Sequence, residues 1–268
     1  MPRKFASVPI HHYMLTNGLI QIINDCNKVF HSTSLPYIVN PSIPILWFGD
    51  LGQYRNSSKR IVSVALNPSD VEFKSSPNNP PSIALRFGGI SNSYSCQQYY
   101  NAMNNYFRLN PYHWFNSIEK VLNCLDASYY SGYSNTAIHI DVYAPVATTP
   151  HWNGLNARQK NLLKAGYSSF FQRLLNEFDP DVILASFNSS EIKAHFIEIG
   201  GNPCVASNSR GFWRPVGKTK PFLRVHELMN SKILITGLNM SGSAFGGLYA
   251  HECQQGINSL RAQSHLSF

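Results

Sequence analysis

The chain has 268 residues, 43% of them hydrophobic and 13% aromatic, a composition that excludes a disordered or fibrous protein and supplies a core without disulfides or metals. Charged residues make up only 13%, yet 22 Lys and Arg stand against 14 Asp and Glu and leave a net charge of +8. That balance favours a polyanionic partner, with an inert basic surface as the plainer alternative.

In chain order, apolar residues at 15, 19, 22, 23 and 30 predict a helix over 12–30. Prolines 36, 41 and 44 then break the chain before a short edge strand at 45–48. Residues 61–66 form a β-branched run stopped by Asn67-Pro68 and predict the first central strand. Two helices follow at 97–109 and 111–126, with Pro111 in the first turn of the second. A strand at 137–143 and a long amphipathic helix at 155–177 come next. The last elements are a strand at 182–185, a short helix at 190–199, a strand at 233–236 and a helix at 249–262.

Short apolar strands separated by helices predict an α/β fold. We expect a single domain over 1–268, with 1–44 as an N-terminal helical extension and a central, mostly parallel four-stranded sheet flanked by helices on both faces. The five cysteines show no C-x-x-C pattern, which disfavours zinc ribbons and compact iron–sulfur ligand runs. No window approaches the ~18 apolar residues of a membrane span, and no continuous apolar stretch follows the basic residues at the start. We therefore expect a cytoplasmic monomer with no membrane partner, no metal and no cofactor.

Sheets of this kind bind ligands beyond the carboxyl ends of their strands. Those ends read Asn67-Pro-Ser-Asp70, Asp141-Val-Tyr-Ala-Pro145, Phe187-Asn-Ser-Ser190 and Gly237-Leu-Asn-Met-Ser-Gly-Ser243. A strand running into Asn67-Pro68 presents a fixed amide that can hold a water, although alone it is more often an ordinary strand-ending turn. Ser69 and Asp70 lack the Gly-x-Ser-x-Gly setting of a hydrolase nucleophile. His139, on a strand, suits a hydrogen-bonded core position better than a metal site with His11 and His12. The segment 208–224 carries Arg210, Arg214, Lys218, Lys220 and Arg224 with no acid between them, interleaved with Phe212, Trp213 and Phe222. Positive charge beside stacking faces suits nucleic acid, and a solvated hairpin is the plainer alternative.

Together, Ala65-Leu-Asn-Pro-Ser-Asp70, the proline- and serine-rich stretch Lys74-Ser-Ser-Pro-Asn-Asn-Pro-Pro-Ser82, the strand and loop from His139 to Trp152, and Gly237-Leu-Asn-Met-Ser-Gly-Ser-Ala-Phe-Gly-Gly247 resemble the uracil-DNA glycosylase superfamily in order and context. The resemblance implies that Asn67 positions the attacking water and that Asp70 helps stabilise a sugar cation. Asp141 would read the base edge, Ser69 would leave room at the base 5-position, and Phe73 or a nearby aromatic would stack on the base. Pro80, Pro81 and Ser82 would pinch the DNA backbone, and Asn239, Met240, Ser241 and Ser243 would enter the minor groove, Met240 as the wedge. Ala65 replaces the usual glycine, and no histidine precedes Ser241 where the superfamily often has His-Pro-Ser.

The implied activity is a monofunctional DNA glycosylase that hydrolyses the N-glycosidic bond of a flipped pyrimidine. Ser69 and the acceptor-only carboxylate of Asp141 point to a cytosine with a bulky 5-substituent, hydroxymethylated or glucosylated as in some phage DNA, and so to antiviral defence. The alternatives are uracil or mismatch repair, and a non-catalytic nucleic-acid-binding module on the same fold.

Overall fold

A computed structural model describes residues 15–186, 196, 204–206, 223–228, 232–237, 239, 243–246 and 248–262. The strands are β1 (Ile61–Ala65), β2 (Ala127–Ser128), β3 (Asn135–Asp141), β4 (Val182–Ala185), β5 (Cys204–Ala206), β6 (Leu223–Glu227) and β7 (Ile233–Gly237). They lie in the order β2-β3-β1-β4-β7-β6-β5. Pairing is parallel from β2 through β7 and antiparallel at β7-β6 and β6-β5. The α/β architecture and the mostly parallel sheet are as expected, but the expected four strands become a six-stranded sheet with the two-residue β2 added at its edge. The additions are β2 at one edge and the antiparallel pair β6 and β5 at the other, outside the buried parallel centre where a long apolar run is needed.

The helices are α1 (Asn17–Ser32), α2 (Leu51–Asn56), α3 (Cys96–Asn104), α4 (Tyr106–Leu109), α5 (Asn116–Cys124), α6 (Ala157–Phe178) and α7 (Ala250–Ala262). Central strands are apolar along their length because both faces are covered: Ile61, Val62, Ile138, Ile183, Leu184, Leu234 and Ile235 are all buried. From β1 the chain crosses through α3–α5 to β3 on one side, then through α6 to β4 on the other. Right-handed crossovers in opposite directions put α5 and α6 on opposite faces and open a crevice beyond the carboxyl ends of β1 and β3.

Helix α1 starts where Thr16 accepts a hydrogen bond from the Leu19 N–H, and it buries Leu19, Ile22, Ile23 and Cys26 against α6. Helix α6 starts with a capping box between Asn156 and Gln159 and ends at Asp179, which takes a left-handed conformation at φ 45°. Residues 45–48 are not a strand. Ile45 N–H donates to Pro145 O in the loop after β3, and Phe48 forms an isolated antiparallel bridge with His139 of β3 itself, exchanging N–H to O bonds in both directions, while the side chains of all four residues are buried. Residues 110–112 are likewise not helical: the chain turns there, a 3-10 turn spans His113–Phe115, and α5 begins only at Asn116. The expected helix at 190–199 lies outside the described residues apart from Phe196, which is buried.

Candidate nucleic-acid-processing site

A cleft of ≈ 390 Å³ opens beyond the carboxyl ends of β1, β3 and β7. Asn67, Ser69 and Asp70 reach it from the loop after β1, Asp141 from the last position of β3, and Asn239 from the loop after β7. Five residues singled out in the sequence thus meet in one place, because parallel strands deliver their following loops to the same edge of the sheet.

Asn67 is held by its nitrogen. Its Nδ2 donates to Pro68 O at 3.0 Å, Val146 O at 3.3 Å and Thr148 Oγ1 at 3.1 Å. The loop after β3 is itself tied to β1, since Val142 N–H and Tyr143 N–H donate to Ala65 O and Leu66 O. With the nitrogen engaged, Oδ1 is the end of the side chain left to accept a bond from a water.

Asp141 is buried, and neither of its carboxylate oxygens has a hydrogen-bond partner. Such a group is costly unless a ligand completes it. Its position follows from β3: His139 and Asp141 are two residues apart on one face of the strand, with His139 Nε2 3.8 Å from Asp141 Oδ1. The other imidazole nitrogen, Nδ1, lies 2.7 Å from Oγ of Ser63, its register partner on β1. Burial pushes the Asp141 carboxyl above the ordinary range, and the neighbouring His139 acts in the opposite direction. His139 is therefore the hydrogen-bonded core residue its strand position suggested, and it also lines the cleft.

Asp70 faces away from isolation. Its Oδ2 lies 3.4 Å from Lys74 Nζ and accepts from Thr149 Oγ1, while Ser69 Oγ donates to Oδ1. The ion pair offsets part of the field that Asp70 exerts on the cleft.

Phe73 does not stack in the cleft. It is fully buried at the end of the 3-10 turn Asp70–Glu72 and packs on Phe87 at 5.6 Å. The aromatic rings that line the cleft come instead from Phe48, Tyr112, Trp114, Phe115 and Trp152. Trp152 is fixed by stacking on Tyr143 at 4.7 Å with a 9° interplanar angle, and Lys164 Nζ sits 3.8 Å over the far ring.

Of the other expected DNA contacts, Pro80, Pro81, Ser82 and Ser243 are described and lie outside this cleft lining. Pro80 and Pro81 line a separate shallow depression with Lys74, Asn78 and Asn79, and Ser82 is exposed. Ser243 is half-buried and outside the cleft lining. Its loop is seated by Phe245, whose N–H donates to Ser186 Oγ. A Cβ on Gly237 would meet the Phe245 ring at 2.2 Å, so the glycine there admits a side chain rather than a DNA backbone. Arg210, Arg214, Lys218, Lys220, Met240 and Ser241 lie outside the described residues.

Glu72 lines the cleft and was not singled out in the sequence. Ser69-x-x-Glu72 has the form of a capping box, but the glutamate turns inward instead. Its Oε2 accepts from the Tyr106 hydroxyl at 2.7 Å and lies 3.6 Å from Arg86 Nε. Among the described residues no group of three or more His, Cys, Asp or Glu is arranged to hold a metal, and no helix is long and apolar enough to cross a membrane. Neither known family models nor curated proteins give a match to this chain.

Proposed function

We propose that this protein is a monofunctional DNA glycosylase of the uracil-DNA glycosylase type, acting on a flipped, 5-substituted cytosine. The observation that carries the proposal is Asp141: a buried carboxylate with two unpartnered oxygens in the same cleft as a nitrogen-pinned Asn67. A base reaches such a cleft only after leaving the stack, at a cost of a few kcal/mol. The aromatic lining supplies faces for it. Unprotonated Asp141 accepts from an exocyclic amino group and opposes a carbonyl oxygen, so it favours cytosine over uracil.

In this mechanism the C1′–N1 bond lengthens toward an oxocarbenium-like sugar. A water on Asn67 Oδ1 adds to C1′, and the product is an intact abasic strand. Ser69 and the exposed His151 and Asn153 at the cleft mouth leave space for a bulky 5-substituent. A cytoplasmic enzyme of this kind would remove hypermodified cytosines from invading phage DNA. The net charge of +8 is consistent with a DNA partner.

The test is base release from glucosylated phage DNA, unmodified DNA and uracil DNA side by side, with Asp141→Asn as the specificity control. We expect release from the glucosylated DNA and a loss of that preference in Asp141→Asn. Equal or preferential action on uracil, or an unaltered preference in the variant, would refute the cytosine assignment. Salt-dependent binding with no release from any DNA would favour the non-catalytic module.

A further inference from the structure

We propose that Glu72 is the general acid that protonates the departing base, an assignment that rests on the glycosylase function proposed above. Cytosine is a poor leaving group as an anion, so its departure calls for a proton on the ring. No histidine precedes Ser241 in the last loop to steady a departing anion. Glu72 lies on the lining of the cleft that holds Asp141, and its side chain is only 4% exposed.

The hydrogen bonds around Glu72 engage one of its two carboxyl oxygens. The backbone N–H of Tyr112 donates to the Tyr106 hydroxyl at 3.0 Å, and that hydroxyl in turn donates to Glu72 Oε2 at 2.7 Å. With Oε2 accepting, a protonated Glu72 carries its proton on Oε1, for which the described residues supply no partner. The groups facing Glu72 are Arg86, 3.6 Å from Oε2, the Tyr106 hydroxyl, and Asp141 in the same cleft. Arg86 is itself shared, donating through Nε to Val71 O and through Nη1 to Asn110 O. On the same turn, Asp70 is engaged by Lys74 and Thr149. Burial outweighs Tyr106 and Arg86 and pushes the Glu72 carboxyl up to about 7, where a general acid serves neutral conditions.

The step balances as follows. The C1′–N1 bond breaks and its electron pair passes to the base, while the Glu72 proton passes to N3. The base leaves as neutral cytosine and Glu72 remains as the carboxylate. The water on Asn67 forms the new C1′–O bond and gives its surplus proton to solvent, from which Glu72 is reprotonated. Asp141 on the amino group and Glu72 on N3 would meet adjacent positions of one base edge. Uracil has hydrogen at N3 and offers no acceptor there.

The experiment is single-turnover base release from 5-substituted cytosine DNA across pH 5–9 for wild type, Glu72→Gln and Tyr106→Phe, with folding followed by circular dichroism. We expect the wild-type rate to fall above pH about 7 and Glu72→Gln to lose 10²–10⁴-fold and that alkaline limb. Tyr106→Phe, by removing a hydrogen bond to the carboxylate, should move the limb up by roughly one pH unit; this variant decides if Glu72→Gln does not fold. A wild-type rate in Glu72→Gln, or an unmoved limb in Tyr106→Phe, overturns the assignment of Glu72 alone. Absence of base release by wild type from every DNA overturns the glycosylase function and this assignment with it.

Discussion

Thr148 Oγ1 lies 3.1 Å from Asn67 Nδ2, so a buried hydroxyl on the loop after β3 fixes the amide presented by the loop after β1. Ser69 and Thr148 also form a parallel bridge, which joins the two loops through their backbones. The orientation of Asn67 is therefore a property of two neighbouring strands rather than of the Asn-Pro turn alone.

Asn67→Ala is expected to lower turnover by about 10²–10⁴-fold with DNA affinity nearly unchanged. Thr148→Val should lower it by roughly 5–10-fold, the effect of one hydrogen bond of about 1 kcal/mol. Single-turnover rates and binding titrations on the same DNA separate the two parameters. An Asn67→Ala enzyme with wild-type single-turnover rates would remove Asn67 from the mechanism.

The product strand should be abasic and intact. Lys74, the lysine closest in sequence to the Asn67 turn, is ion-paired with Asp70, and a protonated lysine does not attack a sugar aldehyde. Borohydride reduction during turnover should therefore trap no protein–DNA adduct; a covalent adduct would contradict hydrolysis by water alone.

Glu72 should leave a mark on stability independent of any substrate. Its folded pKa is raised from 4.5 to about 7 by burial, so its contribution is fully present below pH about 4.5 and is lost as pH rises through about 7. Relative to Glu72→Gln, wild type should lose on the order of 3 kcal/mol between pH 4.5 and 8. Urea unfolding of both proteins at several pH values measures the difference. A pH-independent difference would mean that Glu72 does not titrate in this window.

Arg210→Ala and Arg214→Ala should weaken binding to all DNA sequences and each reduce the salt slope by about one. Fluorescence anisotropy at several salt concentrations gives the slope, and an unchanged slope would place these residues away from phosphate.

The central strands and the convergence of their ends were legible because buried parallel strands are continuous apolar runs and their following loops share one edge. Ile61–Ala65, Val182–Ala185 and Ile233–Gly237 fall within one or two residues of expectation. The strand Leu223–Glu227 was hidden within and beyond a basic segment, because an antiparallel strand near the sheet edge needs no long apolar run. Residues 45–48 have the composition of a strand but reach the sheet only through a single bridge from Phe48 to His139, a tertiary arrangement that local pattern does not encode. In the site, Asn67 and Asp141 were marked by their place at the carboxyl ends of strands. Glu72 was masked by its capping-box spacing, and Phe73 was misplaced because sequence distance from Asn67 does not tell which way a 3-10 turn faces. Tyr112, Trp114 and Phe115 come to the cleft from a crossover more than forty residues downstream of Asn67, with no local signal of their destination.

The most direct measurement is mass spectrometry of the free base released from a panel of DNAs bearing uracil, cytosine, 5-hydroxymethylcytosine and glucosylated 5-hydroxymethylcytosine, with Asn67→Ala in parallel. The account predicts a free 5-substituted cytosine and one abasic site per base released, both lost with Asn67→Ala. It is contradicted if no DNA yields a free base, or if release is equal with Asn67→Ala.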